Sequence, residues 1–261
     1  MKKNKRALWV SLTLFLCLTV LTVTSRHFAV LRPVLGEARE LPPVIVLDAG
    51  HGGMDSGAVG VDNLLEKDVN LDIVMNLRDM LTAGGFEVVL TRDTDTSIHD
   101  KSAKGTRAQK VSDMNNRLKI INQQENTIFL SVHQNKFPEA SAHGAQMFYS
   151  EANESNERLA QFMQKSFVNQ LQPENTREIK PSGTELFLTH NAKGVSLMVE
   201  CGFISNPEEG ALLATEEYRS KVAFTIYAGL CEFLGEQAVE QLPSEPPATT
   251  TPPPENSKKA V

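Results

Sequence analysis

The chain has 261 residues, of which 41% are hydrophobic and 22% are charged, a balance typical of a globular protein with enough apolar material for a core. Its net charge of −6 is uneven, because residues 1–42 carry seven Lys and Arg against two Glu while residues 43–234 are acidic. An acidic main segment with no basic stripe excludes nucleic acid as the expected partner.

The N-terminal segment is first basic and then apolar. Four of residues 2–6 are Lys or Arg, and residues 7–24 are apolar with only Ser and Thr among them. This pattern predicts a signal peptide or an N-terminal membrane anchor in residues 1–25, followed by a linker over residues 26–42. Since the positively charged residues stay on the cytoplasmic side, the rest of the chain is expected outside the cytoplasmic membrane. It would be secreted if the leader is cleaved and anchored in the membrane if it is not.

Apolar runs alternate with amphipathic segments through the middle of the chain. The pattern predicts strands at 44–47, 86–90, 127–132, 144–149, 185–189 and 195–199, a surface loop at 91–111, and helices at 66–83, 113–123, 154–171, 207–213 and 216–234. Strand–helix–strand units with short joints indicate an α/β fold. We therefore expect one domain over residues 43–234, with a mainly parallel twisted sheet flanked by helices on both faces.

The C-terminal segment differs in composition. Residues 243–261 hold six of the chain's 13 prolines. Such a segment buries too little apolar surface to fold, so residues 235–261 are predicted to be a disordered tail.

Three cysteines give no disulfide framework. Cys17 lies in the N-terminal apolar run, and Cys201 and Cys231 have no CxxC spacing. A domain of this size does not need a disulfide, which favours free, buried thiols, although the sequence leaves a Cys201–Cys231 bridge open.

Three predicted strands each end at a residue that can bind metal or move a proton. His51 follows the first strand, His133 follows the strand 127–132, and Glu200 follows the strand 195–199. In open α/β sheets the functional crevice lies beyond the carboxyl ends of the strands. Two His and the carboxylate of Glu66, at the start of the first helix, form a donor set that suits catalytic zinc, and Glu200 is then available as a base.

An ordinary structural role also explains each of these residues when it is considered alone. An isolated His beyond a strand is more often structural than a ligand, and Glu66 at a helix N-terminus favourably opposes the helix dipole. The convergence of several strand ends is what favours a site. The remaining histidines have no motif partner and are expected to be structural or exposed; they are His27, His99, His143 and His190.

Five motifs resemble those of the zinc-dependent N-acetylmuramoyl-L-alanine amidases of bacterial cell walls. They are HGGMDSGA (51–58), Glu66, RLKIIN (117–122), SVHQN (131–135) and VECGFISNPEE (199–209). The resemblance covers residues 43–234. The loop 95–111 and the leader are most similar to the germination-specific amidases of endospore-forming bacteria.

The resemblance implies zinc ligands at His51, Glu66 and His133 and a catalytic carboxylate at Glu200. Ser131 and Asn135 become candidates for contact with substrate or for support of the ligands. The implied reaction is hydrolysis of the amide bond between N-acetylmuramic acid and the L-alanine of the stem peptide. Peptidoglycan is then the partner, and the expected role is in spore cortex maturation, including muramic-lactam formation, and in germination.

Two alternative functions remain open at this point. A zinc peptidase acting on wall peptides would use the same ligand chemistry, but the HxxE pair that would favour it is missing from residues 51–54. A non-catalytic wall-binding relative would have lost a ligand or Glu200, and all four residues are present. The sequence leaves open whether an accessory protein is needed and which oligomer forms.

Overall fold

The computed structural model describes residues 42–240, and a six-stranded sheet lies at its centre. The strands are β1 (Val44–Ala49), β2 (Val88–Leu90), β3 (Thr127–Asn135), β4 (Gln146–Ser150), β5 (Lys180–Ser182) and β6 (Val195–Phe203). Their order is β2-β1-β3-β6-β4-β5, and β4 runs antiparallel to β6 while the other neighbours are parallel. The predicted mainly parallel sheet is confirmed.

Helices cover both faces of this sheet. They are α1 (Glu66–Ala83), α2 (Thr106–Ile121), α3 (Glu154–Gln170), α4 (Phe187–Asn191), α5 (Pro207–Leu213) and α6 (Glu216–Glu240). Helices α1, α3 and α6 pack together over one face, whereas α2 and α4 cover the other. The predicted α/β fold with helices on both faces is therefore confirmed.

The two faces differ in how much apolar material they bury. Side chains alternate along a strand, so Ile45 and Leu47 of β1 enter the large core while Val46 faces the opposite way. On that second side, Val46 packs with Phe129 and with Leu188 of α4 in a much smaller cluster, against which Phe187 also packs. The thin α2–α4 layer leaves space over this face near the carboxyl ends of β1 and β3.

The structure corrects the prediction of a strand at residues 185–189. Residues Phe187–Asn191 form helix α4, and the nearby strand is Lys180–Ser182. A short apolar run covers too few residues for its periodicity to distinguish a strand from a buried helical turn. The packing of Leu188 against β1 and β3 favours the helix.

The loop predicted at residues 91–111 is also too long. Helix α2 begins at Thr106, and its first two turns are largely exposed, so they carry no apolar periodicity to detect. Strand β2 is shorter than predicted, beginning at Val88. Strands β3 and β6 are longer, so His133 and Glu200 lie within the strands rather than beyond them.

The structure covers only part of the predicted boundaries near the two ends of the chain. Helix α6 continues to Glu240, past the predicted end of the domain at residue 234. The predicted leader and most of the linker and tail lie outside the described residues. Within residues 42–240 no helix is both long and apolar enough to span a membrane.

Candidate metal centre

His51 occupies an unusual backbone position immediately after β1. Its φ of 63° is left-handed, a conformation that L-residues with a side chain adopt rarely. The bend turns the imidazole toward α1, and His51 Nε2 lies 3.2 Å from Glu66 Oε1. The other ring nitrogen, Nδ1, lies 3.2 Å from Asp55 Oδ2, so a carboxylate orients the ring.

Glu66 is the first residue of α1 and is buried. Its Oε2 accepts a hydrogen bond of 2.7 Å from the backbone N–H of Ala58, and its Oε1 lies 3.0 Å from His133 Nδ1. Burial alone would raise the pKa of Glu66, but the hydrogen bonds and charges of His133 and His51 hold that pKa well below its usual range. The carboxylate is therefore ionised, as a ligand must be.

Two glycines make this close approach of side chains possible. A Cβ at Gly50 would lie 2.3 Å from the ring of His133, and one at Gly57 would lie 2.6 Å from Glu66 Oε2. Gly57 also has a φ of +64°. The glycine-rich sequence after β1 is thus required by the packing of the three side chains.

One nitrogen from each histidine and one oxygen of Glu66 lie within 4.8 Å of one another. The histidine rings meet edge to face, with their centroids 5.0 Å apart. Two imidazoles and one carboxylate gathered around a single point are a suitable donor set for a metal ion. The structure therefore brings together the three residues that the sequence indicated as metal ligands.

Glu200 lies beside this cluster. It pairs in register with His133 across the parallel β3–β6 ladder, so both side chains project from the same face of the sheet. Its Oε2 is buried and has no hydrogen-bond partner within the described residues. Burial is the main cause that raises the pKa of Glu200, to about 7, and the negative charge of Glu66 contributes.

A buried ionic network lies below the cluster, and the sequence analysis did not predict it. Asp48 Oδ1 accepts hydrogen bonds from Arg117 Nη1 at 2.7 Å and from Thr91 Oγ1 at 2.6 Å. Burial would raise the pKa of Asp48, but Arg117, the hydroxyl of Thr91 and other neighbours bring it to about 2. A charged residue inside the apolar run 44–49 was the available signal, because a buried charge requires a partner.

A cavity of about 230 Å³ adjoins the cluster on the α2–α4 side of the sheet. His51 and His133 are among its lining residues, together with apolar side chains such as Met114, Phe187 and Met198 and with charged side chains such as Lys110 and Glu185. A concave site that combines apolar side chains with polar groups is typical of ligand binding.

The two remaining site candidates have different positions. Ser131 is buried, and its Oγ donates to Asp48 Oδ2 at 2.7 Å, so it supports the network below the ligands. Asn135 ends β3, where its backbone carbonyl accepts from the N–H of Ile204 at 2.9 Å. It is not part of the three-residue cluster. Of the histidines outside the cluster, those within residues 42–240 take no part in it.

The cysteines of the domain are both free thiols. Cys201 is buried in β6, and Cys231 is half-buried in α6. Burial raises the pKa of Cys201, which makes its thiol unreactive.

Known proteins share this fold and are similar in sequence. Residues 45–232 match the model of the N-acetylmuramoyl-L-alanine amidase family Amidase_3. The chain is 38% identical over 194 residues to the germination-specific N-acetylmuramoyl-L-alanine amidase of Bacillus subtilis, which covers 74% of this chain and 81% of that protein.

Among solved structures, the CwlD amidase from Clostridioides difficile, in complex with the GerS lipoprotein, matches with a TM-score of 0.72 and 36% identity, over 74% of this chain and 99% of that one. The amidase AmiC2 of Nostoc punctiforme matches with a TM-score of 0.64 and 27% identity, over 74% and 97% of the two chains. The chain belongs to the N-acetylmuramoyl-L-alanine amidase family.

Proposed function

We propose that this chain hydrolyses the amide bond between the lactyl group of N-acetylmuramic acid and the L-alanine of the stem peptide, with zinc held by His51, Glu66 and His133. One observation carries the proposal: three donor atoms lie within 4.8 Å of one another, and next to them is a buried carboxylate oxygen that has no hydrogen-bond partner in residues 42–240. Family membership supports the choice of bond.

The residues fit zinc in particular. Two His and one Glu form a donor set used by catalytic zinc, which leaves a further position for substrate or water. Asp55, against the second nitrogen of His51, is the carboxylate that often orients a zinc-binding imidazole. Zinc bound here would supply a Lewis acid for the scissile carbonyl group.

Glu200 supplies the acid–base chemistry of the proposed reaction. Glu200 lies beside the proposed ligands, and its Oε2 is buried and accepts no hydrogen bond within residues 42–240, so this oxygen is available to accept a proton and return it. Glu200 accepts the proton of the attacking water through its free oxygen. It then donates that proton to the departing amine of L-alanine, which prevents the amide from re-forming.

The adjoining cavity places the substrate. Its lining combines apolar side chains with charged groups such as Lys110 and Glu185, which suits a wall fragment, and His51 and His133 border the same space. His51 follows β1 directly, Glu66 begins α1, and His133 and Glu200 lie within β3 and β6, so the sheet and its first helix position all four side chains.

The test is incubation of purified peptidoglycan with the zinc-loaded full chain, followed by mass spectrometry of the products. We expect peptides that begin with a free L-alanine amino group, together with glycan that retains the lactyl carboxylate. A cut inside the stem peptide would instead identify a wall peptidase. Wall binding without any new amino group would identify a non-catalytic relative.

We also propose a role in the spore cortex, with an exported chain. The similarity to the germination-specific amidase of Bacillus subtilis and to the CwlD amidase supports this role. Expression in an endospore-forming strain that lacks its own germination-specific amidase should restore muramic lactam to the cortex. Cortex that still lacks muramic lactam, despite exported and folded protein, would contradict the role.

The CwlD amidase from Clostridioides difficile forms a complex with the GerS lipoprotein, which suggests measuring the activity of this chain with and without a lipoprotein. We propose that an accessory protein assists this chain as well. The purified chain should then gain turnover on peptidoglycan when the lipoprotein from the same organism is added. Equal turnover with and without that lipoprotein would show that the chain acts alone.

A further inference from the structure

Two buried arginines bind three consecutive backbone carbonyl groups at the end of β1. The carbonyl of Ala49 accepts from Arg92 Nε and from Arg117 Nη1, each at 2.8 Å. The carbonyl of Gly50 accepts from Arg92 Nη2 at 3.0 Å, and that of His51 accepts from Arg117 Nη2 at 2.6 Å. Arg117 is 2% exposed and Arg92 is 3% exposed, so these hydrogen bonds do not compete with water.

This arrangement coincides with the left-handed backbone of His51. A residue with a side chain keeps a φ of 63° only where its surroundings impose it. The backbone angle of His51 sets the direction of its Cβ, and from this bend the ring lies 3.2 Å from Glu66. Arg117 binds the carbonyl of His51 itself, Arg92 binds the carbonyl of Gly50, and both arginines bind the carbonyl of Ala49.

Arg117 also connects the strands that carry the two histidines. Its Nε donates to Asp113 Oδ2 at 2.7 Å, and its Nη1 donates to Asp48 Oδ1 at 2.7 Å. Asp48 in β1 accepts from Ser131 in β3 at 2.7 Å, two residues before His133. One guanidinium is therefore hydrogen-bonded to the backbone of His51 and is linked through Asp48 to the strand that carries His133.

We propose that Arg117, paired with Asp48, is a positioning residue that fixes the backbone of His51 and thereby the spacing of the histidine donor atoms. The inference rests on the proposed metal centre and goes beyond it, because it assigns part of the metal affinity to a residue that binds no metal. A merely structural network would stabilise the fold and leave metal affinity unchanged. These two roles can be separated by experiment.

Arg117→Lys is the informative variant. Lysine keeps the positive charge opposite Asp48, but its single ammonium group cannot reach two carbonyls and two carboxylates in a planar arrangement. We expect zinc affinity of the full chain, measured by competition with a chromophoric chelator, to fall about tenfold or more. The visible spectrum of the Co²⁺-loaded protein should change as well, because it reports ligand geometry directly.

Arg219→Lys is the matched control. Arg219 also bonds a carboxylate, that of Asp72, and a backbone carbonyl, that of Leu213 at 2.9 Å, but it joins α6 to α1 away from the centre. The Arg219→Lys substitution should lower the melting temperature of the metal-free protein, while the zinc affinity and the cobalt spectrum stay as in the wild type. If Arg117→Lys behaves in the same way as this control, the positioning role is overturned.

A second variant decides the matter if Arg117→Lys does not fold. Ser131→Ala removes one hydrogen bond to Asp48 and leaves Arg117 in place, and we expect about threefold weaker zinc binding or more, the loss of roughly one hydrogen bond. Unchanged zinc affinity in a folded Ser131→Ala protein would overturn the inference. Wild-type protein that binds no zinc would overturn the proposed metal centre, and the inference with it.

Discussion

Glu200→Gln tests the proposed mechanism and the unusual surroundings of this carboxylate together. Glutamine keeps the size of the side chain but cannot accept a proton from water. General-base catalysis is worth about 10²- to 10⁴-fold, so amide hydrolysis should fall by at least that factor while zinc stays bound. The measurement is the release of free L-alanine amino groups from peptidoglycan, with zinc content determined in the same samples.

The same substitution should stabilise the metal-free protein at high pH. The folded state raises the pKa of Glu200 from 4.5 to about 7, so the folded protein binds this proton more tightly than the unfolded chain does. Stability is therefore lost as pH rises from about 4.5 to 7. At about 1.4 kcal/mol per pKa unit, ionisation of Glu200 lowers the free energy of unfolding by at most about 3 kcal/mol above pH 7. Partial exposure of Glu200 reduces this value.

Urea unfolding in the presence of a chelator measures this effect. The free energy of unfolding of Glu200→Gln should match that of the wild type near pH 4 and exceed it by up to about 3 kcal/mol at pH 8. Glu209→Gln is the control, because burial also raises the pKa of Glu209, yet its oxygens accept from the backbone N–H groups of Gly144 and Phe203 at 2.8 and 2.7 Å. That control should lose stability and keep its activity.

Either of two results would refute the reasoning. A metal-free Glu200→Gln protein that is less stable than the wild type at pH 8 would show that Glu200 has a favourable partner in the folded state. Near-normal hydrolysis by the zinc-loaded variant would remove Glu200 from the mechanism.

The other predictions need simpler measurements. His133→Ala should lose stoichiometric zinc in elemental analysis, because one of three donors is gone; full zinc content would remove His133 from the centre. Gly50→Ala should lose zinc and keep its circular dichroism, since its Cβ would lie 2.3 Å from the His133 ring. The control is Gly235→Ala in α6, where the added Cβ would have no atom within 4 Å. This substitution should raise the free energy of unfolding by up to about 1 kcal/mol. Deletion of residues 243–261 should leave the melting temperature unchanged, because a Pro-rich tail makes few packed contacts; a fall of many degrees would show a docked tail. Protease added to spheroplasts should digest the domain, whereas full protection would contradict export.

The sequence alone determined the central strands β1, β3 and β6 and the three residues of the candidate metal centre. Apolar, β-branched runs such as residues 44–47 and 127–132 are local signals, because a strand that is buried on both faces shows its burial directly in its composition. The ligand candidates could be found because parallel strands deliver their carboxyl ends to one edge of the sheet. His51, Glu66 and His133 do meet there.

Only the tertiary structure decided the features that depend on contacts between distant segments. Residues 187–191 became a helix through packing on β1 and β3, and the exposed start of α2 carried no apolar pattern to recognise. The buried pairing of Asp48 with Arg117 joins residues 69 positions apart. A charge inside an apolar strand shows in the sequence that a partner must exist, but the partner is chosen by the three-dimensional arrangement, since any of the chain's Arg and Lys residues could satisfy the same local rule.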